Sequence, residues 1–104
     1  MTQPDAPGSV VDAGEESRLV LREGGEVAQL VYEVDGDRLL LIHTEVPESL
    51  GGRGIGARLV RAAVDKAIAQ SLTIVPWCPF ARRWLAEHPD VAAGVPIDWK
   101  AVPR

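Results

Sequence analysis

Four glycines fall within six residues at Gly51-Gly52-Arg53-Gly54-Ile55-Gly56, between an unbroken apolar run and a helical pattern. Such a cluster takes the main chain through conformations closed to other residues and lets a second surface approach the backbone closely. Upstream, Leu39-Leu40-Leu41-Ile42 is apolar without alternation, as expected of a central strand covered on both faces. Downstream, Ile55, Leu59, Ala63, Val64, Ala67 and Ile68 recur at helical spacing. They predict a helix of about four turns that starts at the turn and ends near Gln70.

The rest of the chain fits around that unit. Residues 17–21 and 27–34 are apolar and β-branched, bounded by Glu23-Gly24-Gly25-Glu26 and Asp35-Gly36-Asp37. With residues 38–46 they predict an antiparallel meander of three strands. Residues 72–77 read as a short strand that Pro76 helps to end. Cys78-Pro79 then opens a second helix, because proline suits a first helical turn where an N–H has no partner. His88-Pro89 ends it, and the remainder is irregular, with Trp99 as an anchor. The order β-β-β-α-β-α makes the fold class α+β, with an α/β-like C-terminal half in which a strand–helix–strand crossover implies a parallel pair. A length of 104 residues fits one domain, expected over 17–95, with a flexible N-terminal tail over 1–16 and a C-terminal tail over 96–104. A hydrophobic content of 46% against 25% charged residues is enough to fill a core.

Spacing excludes two familiar phosphate motifs. A P-loop places Lys-Ser/Thr after its last glycine to reach phosphate and magnesium, whereas Ala57-Arg58 follows here. The dinucleotide fingerprint needs G-x-G-x-x-G after the first strand of a βαβ unit, but Gly52-x-Gly54-x-Gly56 follows a third strand. Two readings remain. One is a pyrophosphate cradle made by free N–H groups and the dipole of a helix start. The other is a tight turn that needs glycine for sterics alone.

A formal net charge of −4 and a pI near 5.1 argue against a nucleic-acid partner, whose affinity needs a basic face. The basic positions Arg53, Arg58, Arg61 and Arg82-Arg83 suit a small polyanion better. The single cysteine, Cys78, excludes an intrachain disulfide. No apolar stretch reaches the roughly 18–20 residues that span a bilayer, so no membrane partner is expected. The first residues lack a signal-peptide pattern, the expected location is cytoplasmic, and no metal is expected.

Two linked motifs make a resemblance specific. The first is His43-Thr-Glu-Val-Pro-Glu-Ser-Leu-Gly-Gly-Arg-Gly-Ile-Gly-Ala-Arg-Leu-Val60 and the second is Ile74-Val-Pro-Trp-Cys-Pro-Phe80. Together they resemble the short GCN5-related N-acetyltransferase-like family, the NATD1-type group, over roughly residues 31–89. The resemblance implies a minimal form of that fold and an acetyl-CoA-dependent transfer of acetyl to a primary amine, small molecule or protein. It implies that Thr44, Glu45 and Val46 pair through their main chain with the pantetheine arm. It also implies that Gly51, Gly52, Arg53, Gly54, Ile55 and Gly56 cradle the pyrophosphate. Arg53, Arg82 and Arg83 are candidates for contacts to the phosphates, although solvated helix faces explain them equally well, and Pro79 is counted with the cofactor-binding positions. The superfamily signature Arg/Gln-x-x-Gly-x-Gly/Ala is matched at Gly54 and Gly56, while Gly51 stands where Arg or Gln is usual.

Acetyl transfer needs a neutral amine, a stabilised oxyanion and a proton for the departing thiolate. His43 ends the apolar run, near the edge where the strand should splay from its neighbour, and histidine can take a proton near neutral pH. The plainer alternative is a half-buried histidine bonded to main chain. Cys78 stands at a helix start, where the dipole favours a thiolate. It is read as a proton donor, as an acetyl carrier, or as a small buried hydrophobe. The tyrosine that usually supplies the proton is missing, since the only tyrosine, Tyr32, lies on an earlier strand. That absence keeps a second function open, a non-catalytic acyl-CoA-binding or sensing module.

Overall fold

A computed structural model describes residues 9–101, so the outer parts of both expected tails lie outside the described residues. The strands are β1 (Val10–Ala13), β2 (Arg18–Glu23), β3 (Glu26–Asp35), β4 (Arg38–Glu45) and β5 (Thr73–Pro76). The helices are α1 (Ile55–Gln70), α2 (Pro79–Glu87) and the single turn α3 (Pro89–Ala92). One five-stranded sheet runs in sequence order from β1 to β5. Neighbours are antiparallel up to β4, and β4 pairs with β5 in parallel. The expected meander, crossover and second helix are all present, in the α+β class.

The register decides which side chains share a face. Leu19 lies opposite Leu30, Leu21 opposite Ala28, and Tyr32 opposite Leu41, so these six point to one side. Both longer helices pack there: Leu59, Val60 and Ala63 of α1 and Ala81, Trp84 and Leu85 of α2 join the same buried cluster. Each fully buried leucine contributes about 1.5–3 kcal/mol relative to an exposed one, so this interface supplies much of the fold's stability. The opposite face carries Val20, Val31, Leu40 and His43.

One extra residue alters β4 midway. Val31 is opposite His43, but Tyr32 is opposite Leu41, so Ile42 is a bulge without a counterpart on β3. Strict alternation from Leu41 would send His43 toward the helices and Thr44 away. The bulge reverses this. Thr44 sits opposite Leu30 on the helix side, and His43 faces the open side. It also corrects the reading of residues 39–42 as uniformly covered: Leu39, Leu40 and Leu41 are buried, whereas Ile42 is 38% exposed.

Both expected tails are partly built into the sheet. Val10–Ala13, read as tail, pair along the whole of Arg18–Leu21. Asp12 accepts a hydrogen bond from the Tyr32 hydroxyl at 2.5 Å and one from Lys66 Nζ at 2.7 Å, tying β1 to β3 and α1. Burial, reinforced by the Asp12 carboxylate, pushes the Tyr32 phenol well above its ordinary range. At the other end, Ile74 N–H donates to the Pro96 carbonyl at 2.9 Å and Asp98 N–H donates to the Ile74 carbonyl at 2.8 Å. This strap lays Ile97 beside Ile74 as a parallel bridge. The Asp98 carboxylate accepts the Lys100 and Ala101 N–H groups and pairs with Arg38 at 3.0 Å. The Lys100 N–H first, then Ala101 and Arg38, hold it below the usual carboxylate range. Trp99 anchors the strap: its carbonyl accepts from Arg82, whose guanidinium lies 5.7 Å from its ring.

Candidate functional site

The glycine turn is pinned before it begins. A single 3-10 turn at Glu48–Leu50 buries Leu50 to 4% exposure. Gly51 is extended, with a Cβ there only 3.2 Å from the Glu48 carbonyl. Gly52 and Gly54 then take φ of 77° and 71°, the left-handed region that strains any side chain with a Cβ. Gly56 serves a different need: a Cβ there would come within 2.7 Å of the Phe80 ring. Glycine at 56 therefore lets the first turn of α1 lie against the first turn of α2.

Gly54 caps α1 without any side-chain bond, and the first helical bond runs from Arg58 N–H to its carbonyl at 3.1 Å. The N–H groups of Ile55, Gly56 and Ala57 precede that bond, at the positive end of a 16-residue helix dipole. Beside them opens a cavity of about 290 Å³ lined by Val46, Leu50, the turn glycines, Ile55, Ala57 and Phe80. Apolar walls with main-chain donors at one end suit a ligand that joins an aliphatic body to an anionic group.

The strand leading to this cavity loses a neighbour on the way. Pairing of β4 with β5 ends at Leu41 opposite Pro76, while pairing with β3 continues to Glu45. Cys78 N–H donates to the Leu41 carbonyl at 2.8 Å, and the next residue starts α2 in place of a longer strand. Past this point an extended ligand arm can lie along β4 where a strand would otherwise pair.

The expected reacting side chains separate here. Cys78 is 2% exposed, and its Sγ lies 3.2 Å from Thr44 Oγ1 on the helix side of β4. His43 points to the other face, 60% exposed in its side chain, with Nε2 3.5 Å from a Glu45 carboxylate oxygen. Tyr32 is buried opposite Leu41 and donates to Asp12, so it offers no proton to the cavity. Gly51, Gly52, Gly54, Ile55, Gly56 and Val46 come together around the cavity; Thr44, Glu45, Pro79 and Arg83 are not among its walls. Arg53 pairs with Glu23 at 3.6 Å, Arg82 is engaged by the strap, and Arg83 is exposed.

Sequence reading gave no role to Leu50 and Phe80 in the cavity wall, to the Thr44 side chain, or to Glu23. For Phe80 a signal was present in the Pro76–Phe80 motif, with a bulky ring as the second residue of one helix and a glycine at the matching place in the other. For Glu23, some 30 positions before Arg53, no local pattern exists.

Comparison with known proteins bears on the family and the fold. The model of the GCN5-related N-acetyl-transferase family matches residues 18–94. Protein NATD1 of Gallus gallus is 38% identical over 63 residues, which cover 60% of this chain and 57% of that protein. Protein NATD1 of Homo sapiens is also 38% identical over 63 residues, 60% of this chain and 56% of the human one. The chain thus spans under three-fifths of these relatives' length. A solution NMR structure of a GCN5-like protein from Staphylococcus aureus shares the fold, with a TM-score of 0.68 over 91% of this chain and 95% of that one, at 24% identity.

Proposed function

The chain belongs to the GCN5-related N-acetyltransferase family, and on that premise we propose that it transfers acetyl from acetyl-CoA to a primary amine. The observation that carries the proposal is the uncapped start of α1 behind Gly52 and Gly54, opening on the apolar cavity where β4 has lost β5 as a neighbour. The N–H groups of residues 55–57 offer donors to a pyrophosphate, and the glycines let it come close. The main chain of Thr44, Glu45 and Val46 offers a strand edge to the pantetheine arm. Arg53, Pro79 and Arg83 border the phosphate end in this reading.

Acetyl-CoA supplies the thioester: the amine nitrogen bonds to the carbonyl carbon, the C–S bond breaks, and sulfur leaves as a thiolate. The chain must then remove one proton from the amine and deliver one to the thiolate. His43, exposed and steered by Glu45, takes the amine proton directly or through water. Cys78 and Thr44, 3.2 Å apart, form a pair that can pass a proton toward the thiolate. Burial of Cys78 favours this donor role over an acetyl-cysteine intermediate, because covalent capture needs room around the sulfur.

The separation of His43 and Cys78 onto opposite faces of β4 favours a second reading, a module that binds acyl-CoA without turnover. Calorimetric titration with acetyl-CoA, followed by thiol release across a panel of amines, distinguishes the two. Binding with release of free coenzyme A supports the transferase. Binding with no release across the panel supports the module, and no binding at millimolar ligand overturns both.

A further inference from the structure

We propose that Glu23 is a positioning residue that sets how strongly the glycine turn takes a phosphate-bearing acyl donor, by holding the Arg53 guanidinium until a phosphate displaces it. The inference rests on the acetyl-CoA reading above. Arg53 is the only charged residue between Gly51 and Gly56, and it stands between the two left-handed glycines. Its Nη1 lies 3.6 Å from a carboxylate oxygen of Glu23, with side chains 55% and 38% exposed.

That distance is too long for a charge-assisted hydrogen bond, and both groups remain hydrated, so the pair is weak and exchangeable. A phosphate accepts two parallel N–H bonds from the fork of a guanidinium, a better partner in number and in distance. Glu23 also pairs with Glu26 across the end of the β2–β3 hairpin, so the tip next to the turn carries two carboxylates. An arriving polyanion must draw Arg53 away from one of them and then sit in their field. The hairpin tip therefore opposes entry of the phosphate end, while leaving the rest of the donor untouched.

The test compares acetyl-CoA with S-acetyl-pantetheine, which carries no phosphate, on the full chain. Glu23→Gln is expected to tighten acetyl-CoA about 3- to 10-fold at low ionic strength, a range typical of removing one opposing charge beside a partly exposed ionic contact. The gain should shrink in 0.5 M salt, within about a 4 Å Debye length. It should be absent with S-acetyl-pantetheine and fall to about twofold or less in an Arg53→Gln background. During turnover the change should appear in KM for acetyl-CoA and not in kcat. Glu23→Asp, which keeps the charge on a shorter arm, should bind between parent and Glu23→Gln.

An unchanged or weakened acetyl-CoA affinity in Glu23→Gln, with the parent still binding, overturns the role of Glu23 and leaves the proposed function standing. An equal gain with S-acetyl-pantetheine overturns it also, since the effect would not run through phosphate. Failure of the parent chain to bind acetyl-CoA is read in its own arm and removes the function and this inference together.

Discussion

The two ends of β4 are built for opposite purposes. From Arg38 to Leu41 the strand has β3 on one side and β5 on the other, and Leu39, Leu40 and Leu41 are each at most 3% exposed. From His43 to Glu45 it keeps β3 alone, and two of its three side chains stand in solvent. The first end spends apolar area to fix the sheet; the second end leaves strand edge and polar side chains available. Ile42 marks the change, because the residue it inserts re-aims everything after it. A small domain can thus keep its stability and its chemistry on one strand, provided each is confined to its own half.

Substitutions ought to divide along that line. Leu41→Ala, in the closed half and without exposed area, is expected to cost about 2–5 kcal/mol by chemical denaturation. A cost below about 1 kcal/mol would mean that the closed half is not the anchor. Next comes Gly56→Val, at the boundary of the cavity, where the new Cβ meets the Phe80 ring at 2.7 Å. Overpacking there should cost about 1–3 kcal/mol, and Phe80→Ala in the same chain should recover part of it. Failure of that rescue would locate the strain elsewhere.

Tyr32→Phe is smaller, about 1 kcal/mol for a hydrogen bond whose acceptor, Asp12, keeps Lys66. It carries a pH signature as well. The folded phenol is raised, so its contribution is complete below the unfolded value near pH 10 and is lost as pH rises beyond it, where only the unfolded chain ionises. Thermal melts from pH 8 to 11 should fall less steeply for Tyr32→Phe than for the parent; parallel curves would refute the link. His43→Ala, in the open half, should stay within about 0.5 kcal/mol of the parent in stability. If His43 is the base, thiol release should fall about 100-fold in that variant, and full activity would remove it from the mechanism.

Much of the frame was legible from residues because its signals are local. The helix over Ile55–Gln70 follows from a repeated apolar spacing, and Pro79 marks its own helix start. The glycine turn was legible as a turn because four glycines crowd six positions ahead of a helical pattern. What escaped was set by contacts distant in sequence. Val10–Ala13 are too few and too mixed to show a period, and they join the sheet through β2 and the Asp12 contacts. The C-terminal strap is held by Ile74, Arg38 and Arg82, none of them near it in sequence. The face of His43 escaped for a subtler reason: it is set by the residue inserted at Ile42, and no residue type announces a bulge.

The strap at residues 96–98 has a consequence for how such molecules can meet. It occupies main-chain groups of Ile74 on the outer side of β5, so that border of the sheet is already taken. Among the described residues two stretches of edge remain, β1, four residues long, and the end of β4 past Leu41. Two copies paired through β1 would each turn outward a β5 whose Ile74 groups are already engaged. Stacking of further strands along that border is therefore blocked by the same short segment of residues 96–98.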